Sequence, residues 1–405
     1  MARGVRLAER RVLRVAGEDA LKLLQGLVTN DVRGLAAPGA PPVYAAVLAA
    51  NGRVAHDAFF HREMGEGPSG GALLVDLPAA TFEDAVKLLT KMRLRARVTL
   101  DDAGEDLAVV AVGGEEEPGV RSKSDEASSR RDATSTSAPA SSLLAFLPPD
   151  PRLNSLGLRG VLPNAVAEAL IEGGVEMART HGRYGERDAD GDVSSRVSEA
   201  AAHRRLRYAL GVAEGAELVG LLPLECNLAG LNAVSFEKGC YVGQELTART
   251  HHRGVVRKRI VPASFHHHVI TSNVSDDAFE TERANESLFR ASPLFVAPGS
   301  RLFPMEEEET SAVASSARAK PAGSVVASSG DVGLAMARLS RLKRATRETG
   351  TTGGGADALA HSTTLTARFI ARDESQSRAS AIATRVWTPP WWDARWTSRS
   401  DDAEA

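Results

Sequence analysis

The stretch FEKGCYVGQELTAR places one thiol, that of Cys240, in a setting suited to chemistry. Glycines at positions 239 and 243 permit backbone conformations that other residues avoid, and they leave the main chain open to an approaching partner. Lys238 and Arg249, if they fold towards the sulfur, favour its thiolate form, which attacks electrophiles and binds metals. The pattern therefore indicates a thiol in a tight, positively charged turn.

Three uses fit Cys240. A free cysteine is most often a small buried side chain that packs the core. A nucleophile needs a base, and His251 and His252 follow eleven and twelve positions later. A metal or cluster ligand needs companions, and the sequence has no CxxC or HxxxH pattern to supply them. The spacing alone leaves all three uses open.

Polar residues also stand inside apolar runs. Asp57 lies on a predicted strand, where two-residue alternation puts it on the face of Arg53, so it pairs with that arginine or binds a polar ligand. Glu225, in the run LPLECNL, is expected to have a partner inside a cavity. Asn30 lies in the turn Thr29-Asn30-Asp31 after the first predicted helix, where a helix-ending role explains it.

Composition excludes several classes of protein. The chain has 405 residues, enough for two or three domains, and a net charge of −3, which argues against a general nucleic-acid or membrane-surface role. No apolar run approaches the ~18 residues of a membrane span, so a soluble protein is expected. Two cysteines make no disulfide framework and fit a reducing compartment. The N-terminal residues carry Glu9 among arginines and do not resemble a transit peptide, so location cannot be read there.

The elements that must position these residues alternate along the first part of the chain. Residues 11–17 are a predicted strand, and 18–28 a helix with one apolar face. Two strand patterns in 43–60 flank Asn51-Gly52, a dipeptide that accepts positive φ at both turn positions and predicts a hairpin. A helix over Pro78–Met92 is followed by a strand over 95–100. Antiparallel pairs with interspersed helices predict an α+β fold rather than a doubly wound parallel sheet.

Polar tracts interrupt this pattern. Residues 113–142 and 178–196 have too few apolar side chains to order themselves and are predicted disordered insertions. Similar tracts lie at 263–287, 305–320, 345–363 and 371–381. Short strand patterns after residue 255 predict a small sheet or barrel.

The block at 222–260 resembles the YgfZ-type folate-binding family, in particular its mitochondrial iron–sulfur assembly branch. The family signature, Lys-Gly-Cys-aromatic-x-Gly-Gln-Glu, is matched by Lys238, Gly239, Cys240, Tyr241, Gly243, Gln244 and Glu245. Further segments resemble family segments in the same order: 23–32, 48–57, 91–100, 150–160 and the TPPWWD of 388–393. An ordered series of matches is far more specific than one motif.

This resemblance implies a fold like that of the glycine-cleavage T-protein, a ring of α+β domains around a folate cavity with a small C-terminal β-barrel. It places a T-protein-like region at 1–254, the barrel-like domain at 255–393 and a tail at 394–405. Asp57, Glu225 and Asn30 become candidates for a cavity that binds tetrahydrofolate.

The resemblance also implies a function. It points to late maturation of [4Fe–4S] client enzymes alongside an A-type scaffold protein, with Cys240 as a ligand of a [2Fe–2S] or [4Fe–4S] cluster held transiently with that partner. The branch implies the mitochondrial matrix, with a plastid or the bacterial cytoplasm as alternatives.

The chain departs from the T-protein pattern at one informative place. T-protein enzymes carry two aspartates after the glycine turn, and the corresponding positions hold His56 and Asp57. Family members often have a polar residue where Ala49 stands. An assembly factor with a transferase-like fold is therefore expected rather than an enzyme; the alternatives are a folate-dependent aminomethyl or one-carbon transferase and a non-catalytic docking scaffold.

Overall fold

The computed structural model describes residues 4–63, 71–113, 144, 147–172, 199–266, 296–304, 320–348, 365–372, 381–393 and 395–398. They belong to two compact units. The first comprises Met1–His203 and Leu231–Gln244, and the second Arg204–Gly230 and Glu245–Ala405. The boundary after residue 254, expected from the sequence, stays a prediction.

The first unit contains two antiparallel sheets and, among the described residues, three complete α-helices. Its strands are β1 (Gly4–Arg6), β2 (Arg10–Ala16), β3 (Val43–Leu48), β4 (Val54–Arg62), β5 (Leu73–Pro78), β6 (Thr99–Asp102), β7 (Leu107–Val112) and β8 (Leu158–Pro163). Its helices are α1 (Ala20–Gln25), α2 (Phe82–Arg93) and α3 (Asn164–Glu172), and α4 (Glu199–Ala209) begins in it. The sheet orders are β3-β4-β5-β2-β6 and β1-β7-β8.

The five-stranded sheet has one apolar and one polar buried face. Ala58 and Phe60 of β4 point into a core that α1 and α2 help to close. Phe59, between them, faces the other way and is flanked across the sheet by Tyr44 on β3 and Asp76 on β5. Because successive side chains of a strand alternate between faces, this register puts the buried acids and arginines together, away from the apolar core.

The predicted hairpin at Asn51-Gly52 is confirmed, but its turn differs from the expected one. The amide of Gly52 donates to the carbonyl of Ala49 at 2.9 Å, and Gly52 has a φ of +78° whereas Asn51 is not in the positive-φ region. The register shifts between the pairs Val47–His56 and Leu48–Val54, which leaves Ala55 as an extra residue. This β-bulge breaks the alternation that was expected to put Arg53 on the face of Asp57.

The second unit is built on a closed barrel, as expected. Its strands are β9 (Lys258–His266), β10 (Arg301–Pro304), β11 (Gly323–Ser329), β12 (Val332–Arg338), β13 (Thr366–Arg372) and β14 (Ala381–Trp387), joined in the order β10-β11-β12-β9-β14-β13. The helices are α5 (Gln244–Arg253), whose first residue ends the first unit, α6 (Leu339–Glu348) and α7 (Arg395–Ser398). The mixed α and β composition predicted from the sequence is confirmed.

Several predicted boundaries are wrong. The strand expected over 95–100 begins only at Thr99; residues 94–95 form a turn and 96–98 have no regular secondary structure. Three of the polar tracts begin inside elements, since residues 263–266 belong to β9, 345–348 to α6 and 371–372 to β13. Residues 114–142, 178–196 and the remainder of the other tracts lie almost entirely outside the described residues, so their predicted disorder stays a prediction. Within the described residues no helix is long and apolar enough to cross a membrane.

Candidate cysteine site

The segment that carries Cys240 is joined to the turn after α1. Thr29 is fully buried, and its hydroxyl donates to the carbonyl of Ala233 at 2.6 Å. The amide of Ser235 donates back to the Thr29 carbonyl at 3.0 Å, and the side-chain amide of Asn30 donates to the Asn232 carbonyl at 2.6 Å. A helix-ending role therefore explains this turn only in part, because its polar side chains also connect two segments about 200 positions apart.

Lys238 is the central connection between these segments. Its buried ammonium donates to the main-chain oxygens of Gln25 at 2.7 Å, Val28 at 2.7 Å and Asn30 at 2.8 Å. Burial lowers the pKa of Lys238 to about 8. Three acceptors nevertheless call for three N–H donors, which only the protonated form of lysine has. Lys238 therefore fixes the main chain, and its donors are taken by carbonyl oxygens rather than by the thiol.

Cys240 itself is exposed. The first of the three uses, a small buried side chain that packs the core, is therefore wrong for Cys240, although it is the usual state of a free cysteine. Gly239 precedes it, and a Cβ atom added at Gly239 would have no non-neighbouring atom within 4 Å, so the space at this glycine is open. Tyr241 follows and is buried, its ring centre 5.1 Å from the Lys238 ammonium. Burial raises the pKa of Tyr241 to about 12. The thiol thus projects between two anchored side chains.

The second half of the signature turns the chain into α5. Gly243 has a φ of +78°, and a Cβ there would lie 2.5 Å from the carbonyl oxygen of Ala49. Only glycine fits such a close approach of two main chains. Gln244 closes the turn, because its amide donates to the Tyr241 carbonyl at 3.3 Å and its side-chain oxygen accepts from the Tyr241 amide at 3.4 Å.

Other predicted site residues have local roles. Arg249 forms an ion pair with Glu245 one helical turn earlier, and both side chains are exposed on α5. His251 and His252, the bases considered for a nucleophile, are exposed in the last turn of α5 and pack edge to face with ring centres 5.1 Å apart. These contacts support the helix and do not assign a catalytic role to any of the four residues.

The second cysteine has the opposite environment. Cys226 is 1% exposed, and burial raises its pKa well above the ordinary value for a thiol. A buried protonated thiol is unreactive and does not bind metal. Its neighbour Glu225 is half-buried, and the Glu225 carboxylate pairs with the ammonium of Lys258 at 3.3 Å. The partner expected for this carboxylate is therefore the first residue of β9.

The other candidates for a folate cavity also have internal partners. Asp57 is fully buried, accepts from Arg10 at 3.0 Å and from the Tyr44 hydroxyl at 3.3 Å, and so pairs with an arginine of β2. The side-chain amide of Asn30 donates both to Asn232 and to the Tyr44 carbonyl, the latter at 2.8 Å. These contacts stabilise the fold, and they do not define a pocket for a pteridine. Tetrahydrofolate binding stays a prediction.

The sequence did not indicate the wider charge network around Asp57. Asp76 accepts from Arg10 at 2.6 Å and from Arg159 at 2.7 Å, and all three side chains are buried. The guanidinium of Arg159 lies 3.8 Å from the ring centre of Phe59. The alternation of side chains along β4 and β5 was the one signal in the sequence for this network, because it places acids on a face of the sheet that must be buried. The arginine partners come from distant segments.

No arrangement of three or more histidine, cysteine, aspartate or glutamate side chains suited to a metal ion occurs among the described residues. The chain as a whole has two cysteines, of which one is buried. What the site offers is therefore a single accessible thiol on a rigid, glycine-flanked support.

Comparison with solved structures defines the class of fold. The chain is similar to the glycine cleavage system aminomethyltransferase T from Bartonella henselae, with a TM-score of 0.52, 13% sequence identity and coverage of 96% of this chain and 86% of that one. The fold is accordingly that of the aminomethyltransferase T-proteins. No family model matches the sequence.

Comparison with curated proteins shows the family. The chain is 32% identical to the mitochondrial iron-sulfur cluster assembly factor IBA57 homolog of Mycosarcoma maydis, over 96% of this chain and 84% of that protein. It is 34% identical to the human mitochondrial factor IBA57, over 67% of this chain and 69% of that protein. The Neurospora crassa homolog is 31% identical, with 58% of its length covered. The chain belongs to the IBA57 family of iron-sulfur cluster assembly factors, and the resemblance found in the sequence is confirmed.

Proposed function

We propose that this chain assists the late maturation of [4Fe–4S] proteins by using the Cys240 thiolate as one ligand of a cluster that an A-type scaffold protein also holds. The observation that carries the proposal is the contrast between the two cysteines: Cys240 is exposed and Cys226 is buried. The names of the relatives, which are iron-sulfur cluster assembly factors, support the same role.

The number of thiols determines the form of this proposal. Iron–sulfur clusters are usually held by four cysteine thiolates. A chain with one accessible thiol supplies one of these ligands, so the others must come from a second protein. The cluster is then cargo shared between two proteins rather than a resident cofactor, and a partner with several cysteines is required.

The support of Cys240 suits such sharing. Lys238 and Tyr241 fix the main chain on both sides of the cysteine, and the open space at Gly239 admits a partner. A ligand that is already in place loses little conformational entropy when the cluster binds. The rigidity of the segment therefore favours binding of the cluster at this thiol.

The curated relatives are named mitochondrial. We place this chain in the mitochondrial matrix on the same basis, where the client [4Fe–4S] enzymes would be its final recipients. A reducing matrix agrees with the low cysteine content, because an exposed thiol persists there.

The fold agrees with the transferase alternative, but the contacts of His56 and Asp57 do not. His56 stands where the first aspartate of the T-protein pair would be, its Nδ1 atom lies 3.0 Å from the Thr81 hydroxyl, and burial lowers its pKa. Asp57 is engaged with Arg10. Neither residue presents a carboxylate to an aminomethyl donor, so the proposed function includes tetrahydrofolate binding but no aminomethyl transfer.

The proposal is tested in cells that lack their own relative of this chain. Wild type, Cys240→Ser and Cys226→Ala are expressed at matched levels, and the activity of aconitase, a [4Fe–4S] enzyme, is measured. We expect rescue by wild type and by Cys226→Ala and no rescue by Cys240→Ser. Full rescue by Cys240→Ser would exclude the thiol as a cluster ligand and leave the docking-scaffold alternative.

A further inference from the structure

Two segments of the second unit concentrate positive charge. Residues 249–259 contain five arginines and lysines and no acid, and residues 338–347 contain five more and again no acid. The chain as a whole has a net charge of −3, so this is a local excess of positive charge rather than a property of the composition. A concentration of one sign of charge indicates a partner of the opposite sign.

The barrel brings the two basic segments together. β9 and β12 are antiparallel neighbours, in a register that places Lys258 opposite Arg338. The amide of Leu339 donates to the Arg257 carbonyl at 3.0 Å. Arg257 and Arg338 therefore lie at the same end of this strand pair, and Arg253, the last residue of α5, is four positions before Arg257.

The fold does not use these three arginines. Arg253, Arg257 and Arg338 have exposed side chains, and none has a side-chain partner within the part of the chain that the structure describes. A cation at the C-terminal end of a helix is favourable, which accounts for Arg253. Like charges at facing positions of a strand pair are destabilising, so the pair of Lys258 and Arg338 is unfavourable for the fold. A partner outside the chain explains these charges better than stability does.

The surroundings of these arginines fit a protein better than RNA or a membrane. Neither segment contains a phenylalanine, tyrosine or tryptophan, the rings on which unpaired bases usually stack. Leu339 and Leu342 of α6 are buried in the barrel core, so they cannot insert into a bilayer. Val255, between Arg253 and Arg257, is 46% exposed and adds an apolar contact. Arginine is enriched in protein interfaces.

Helix α5 connects this surface to the cysteine site. The helix begins at Gln244, whose side-chain oxygen accepts from the Tyr241 amide, and it ends at Arg253. Four extended residues and a ten-residue helix span at most about 30 Å, which bounds the distance between Cys240 and Arg253. A protein of about 100 residues has a radius of gyration of about 13 Å, so a partner that brings a cluster to the thiol is also within reach of the arginines.

We propose that Arg253, Arg257 and Arg338 form a docking surface that attracts an acidic, cluster-loaded partner protein and guides it to Cys240. Thiolates are anionic, so the face of a protein that presents them with a cluster carries excess negative charge. The inference rests on the proposed function, which makes this partner the A-type scaffold that supplies the remaining thiolates. Exposed charges of this kind act mainly on the rate of association.

The test measures the association rate of the full chain with the purified A-type scaffold, which carries its cluster and a fluorescent label, by stopped flow. The triple variant Arg253→Gln, Arg257→Gln, Arg338→Gln should associate about tenfold more slowly at low salt. The difference should shrink as the salt concentration is raised, because salt screens exposed charges. The melting temperature of the variant should equal that of wild type, since no described side chain loses a partner.

The triple variant Arg6→Gln, Lys91→Gln, Arg95→Gln is the matched control. It removes the same charge from exposed side chains of the first unit and should associate at the wild-type rate. Three results would overturn the docking surface. They are a wild-type rate in the variant of the second unit, an equal fall in both triple variants, which would reflect total charge alone, and no association of the wild-type chain with the loaded scaffold.

Cys240→Ser separates this inference from the proposed function. It should associate with the loaded scaffold at the wild-type rate and fail to develop the absorbance of the shared cluster. Slower association in the arginine variant combined with aconitase rescue by Cys240→Ser would retain the docking surface and refute the role of the thiol.

Discussion

The ammonium of Lys238 donates a hydrogen bond to the main-chain oxygen of Asn30 across 2.8 Å, although 208 positions separate the two residues along the chain. With the bonds to Gln25 and Val28, this contact makes one lysine side chain the link between the signature segment and the turn after α1. The position of the exposed thiol two residues later depends on that link. The lysine of the signature is thus explained by the hydrogen bonds that its ammonium donates to main-chain oxygens.

Replacing Lys238 with methionine should destabilise the first unit. The variant keeps the aliphatic length but leaves three main-chain oxygens without their donor, and we expect a loss of about 2–4 kcal/mol in the free energy of unfolding. Urea denaturation followed by circular dichroism measures it. Lys22→Met, at an exposed lysine of α1, is the control and should change stability by less than about 0.5 kcal/mol. Equal stabilities of the two variants would show that the three bonds contribute nothing net.

The two glycines around Cys240 should respond differently to alanine. Gly243→Ala forces a positive φ on a residue with a Cβ that meets the Ala49 carbonyl, and we expect a loss of more than about 1 kcal/mol. Gly239→Ala adds its methyl group to open space and should leave stability within about 0.5 kcal/mol of wild type. Thermal unfolding of the two variants side by side gives the comparison, and similar melting temperatures would contradict the close approach at Gly243.

Removing the charge of Asp76 should be more damaging than removing that of an exposed acid. Asp76→Asn leaves the buried guanidiniums of Arg10 and Arg159 without their shared carboxylate, and breaking a buried pair in this way costs about 3–5 kcal/mol. Asp102→Asn, whose partner Arg11 is exposed, should cost less than about 1 kcal/mol. The urea concentrations at the midpoints of unfolding of the two variants measure these losses of stability. An Asp76→Asn protein as stable as wild type would show that the network is dispensable.

His61 should make stability dependent on pH. Its Nε2 atom is buried without a hydrogen-bond partner among the described residues, and burial lowers the pKa of His61 to about 4. The unfolded chain binds this proton below about pH 6.5, whereas the folded chain binds it only near pH 4. Between these values the unfolded state holds more protons, so stability is complete above pH 6.5 and falls as the pH drops towards 4.

The size of this effect is at most about 3 kcal/mol, the free energy that corresponds to the difference between the two pKa values. Unfolding free energies of wild type and His61→Leu, measured at intervals between pH 7 and pH 4, should show a smaller slope in the variant. Some slope should remain, because burial also lowers the pKa of His56 and acts with the same sign. Parallel curves for the two proteins would assign the dependence to other groups.

The sequence predicted the elements whose signals are local. The alternating strands, α2 and the glycine at the hairpin follow from periodicity and turn chemistry within a few residues, and each is present. The barrel was also expected, although β13 and β14 were not identified, because short strands beside polar tracts resemble loops. The family signature is a pattern of residue types, so it too was visible without coordinates.

The contacts that define the site could not be predicted in the same way. The acceptors of Lys238 are main-chain oxygens, which every residue has, so no residue type marks them. The pairing of Asp57 with Arg10 rather than Arg53 follows from the bulge at Ala55 and from the order of strands in the sheet. The strand predicted over 95–100 begins only at Thr99, and the amide of Arg97 just before it bonds to Asp19, a residue nearly eighty positions earlier.

The closed barrel bears on how this chain tolerates changes in length. Each of its six strands has a neighbour on both sides, so no strand edge is left to pair with another molecule. Most residues of the polar tracts in the second half of the chain fall between the described elements of the barrel unit, and only the end residues of three tracts belong to β9, α6, β13 or β14. Extra residues inserted at such points leave the hydrogen-bonded circuit unchanged. The family can therefore diverge in chain length between distant lineages while the circuit keeps its register.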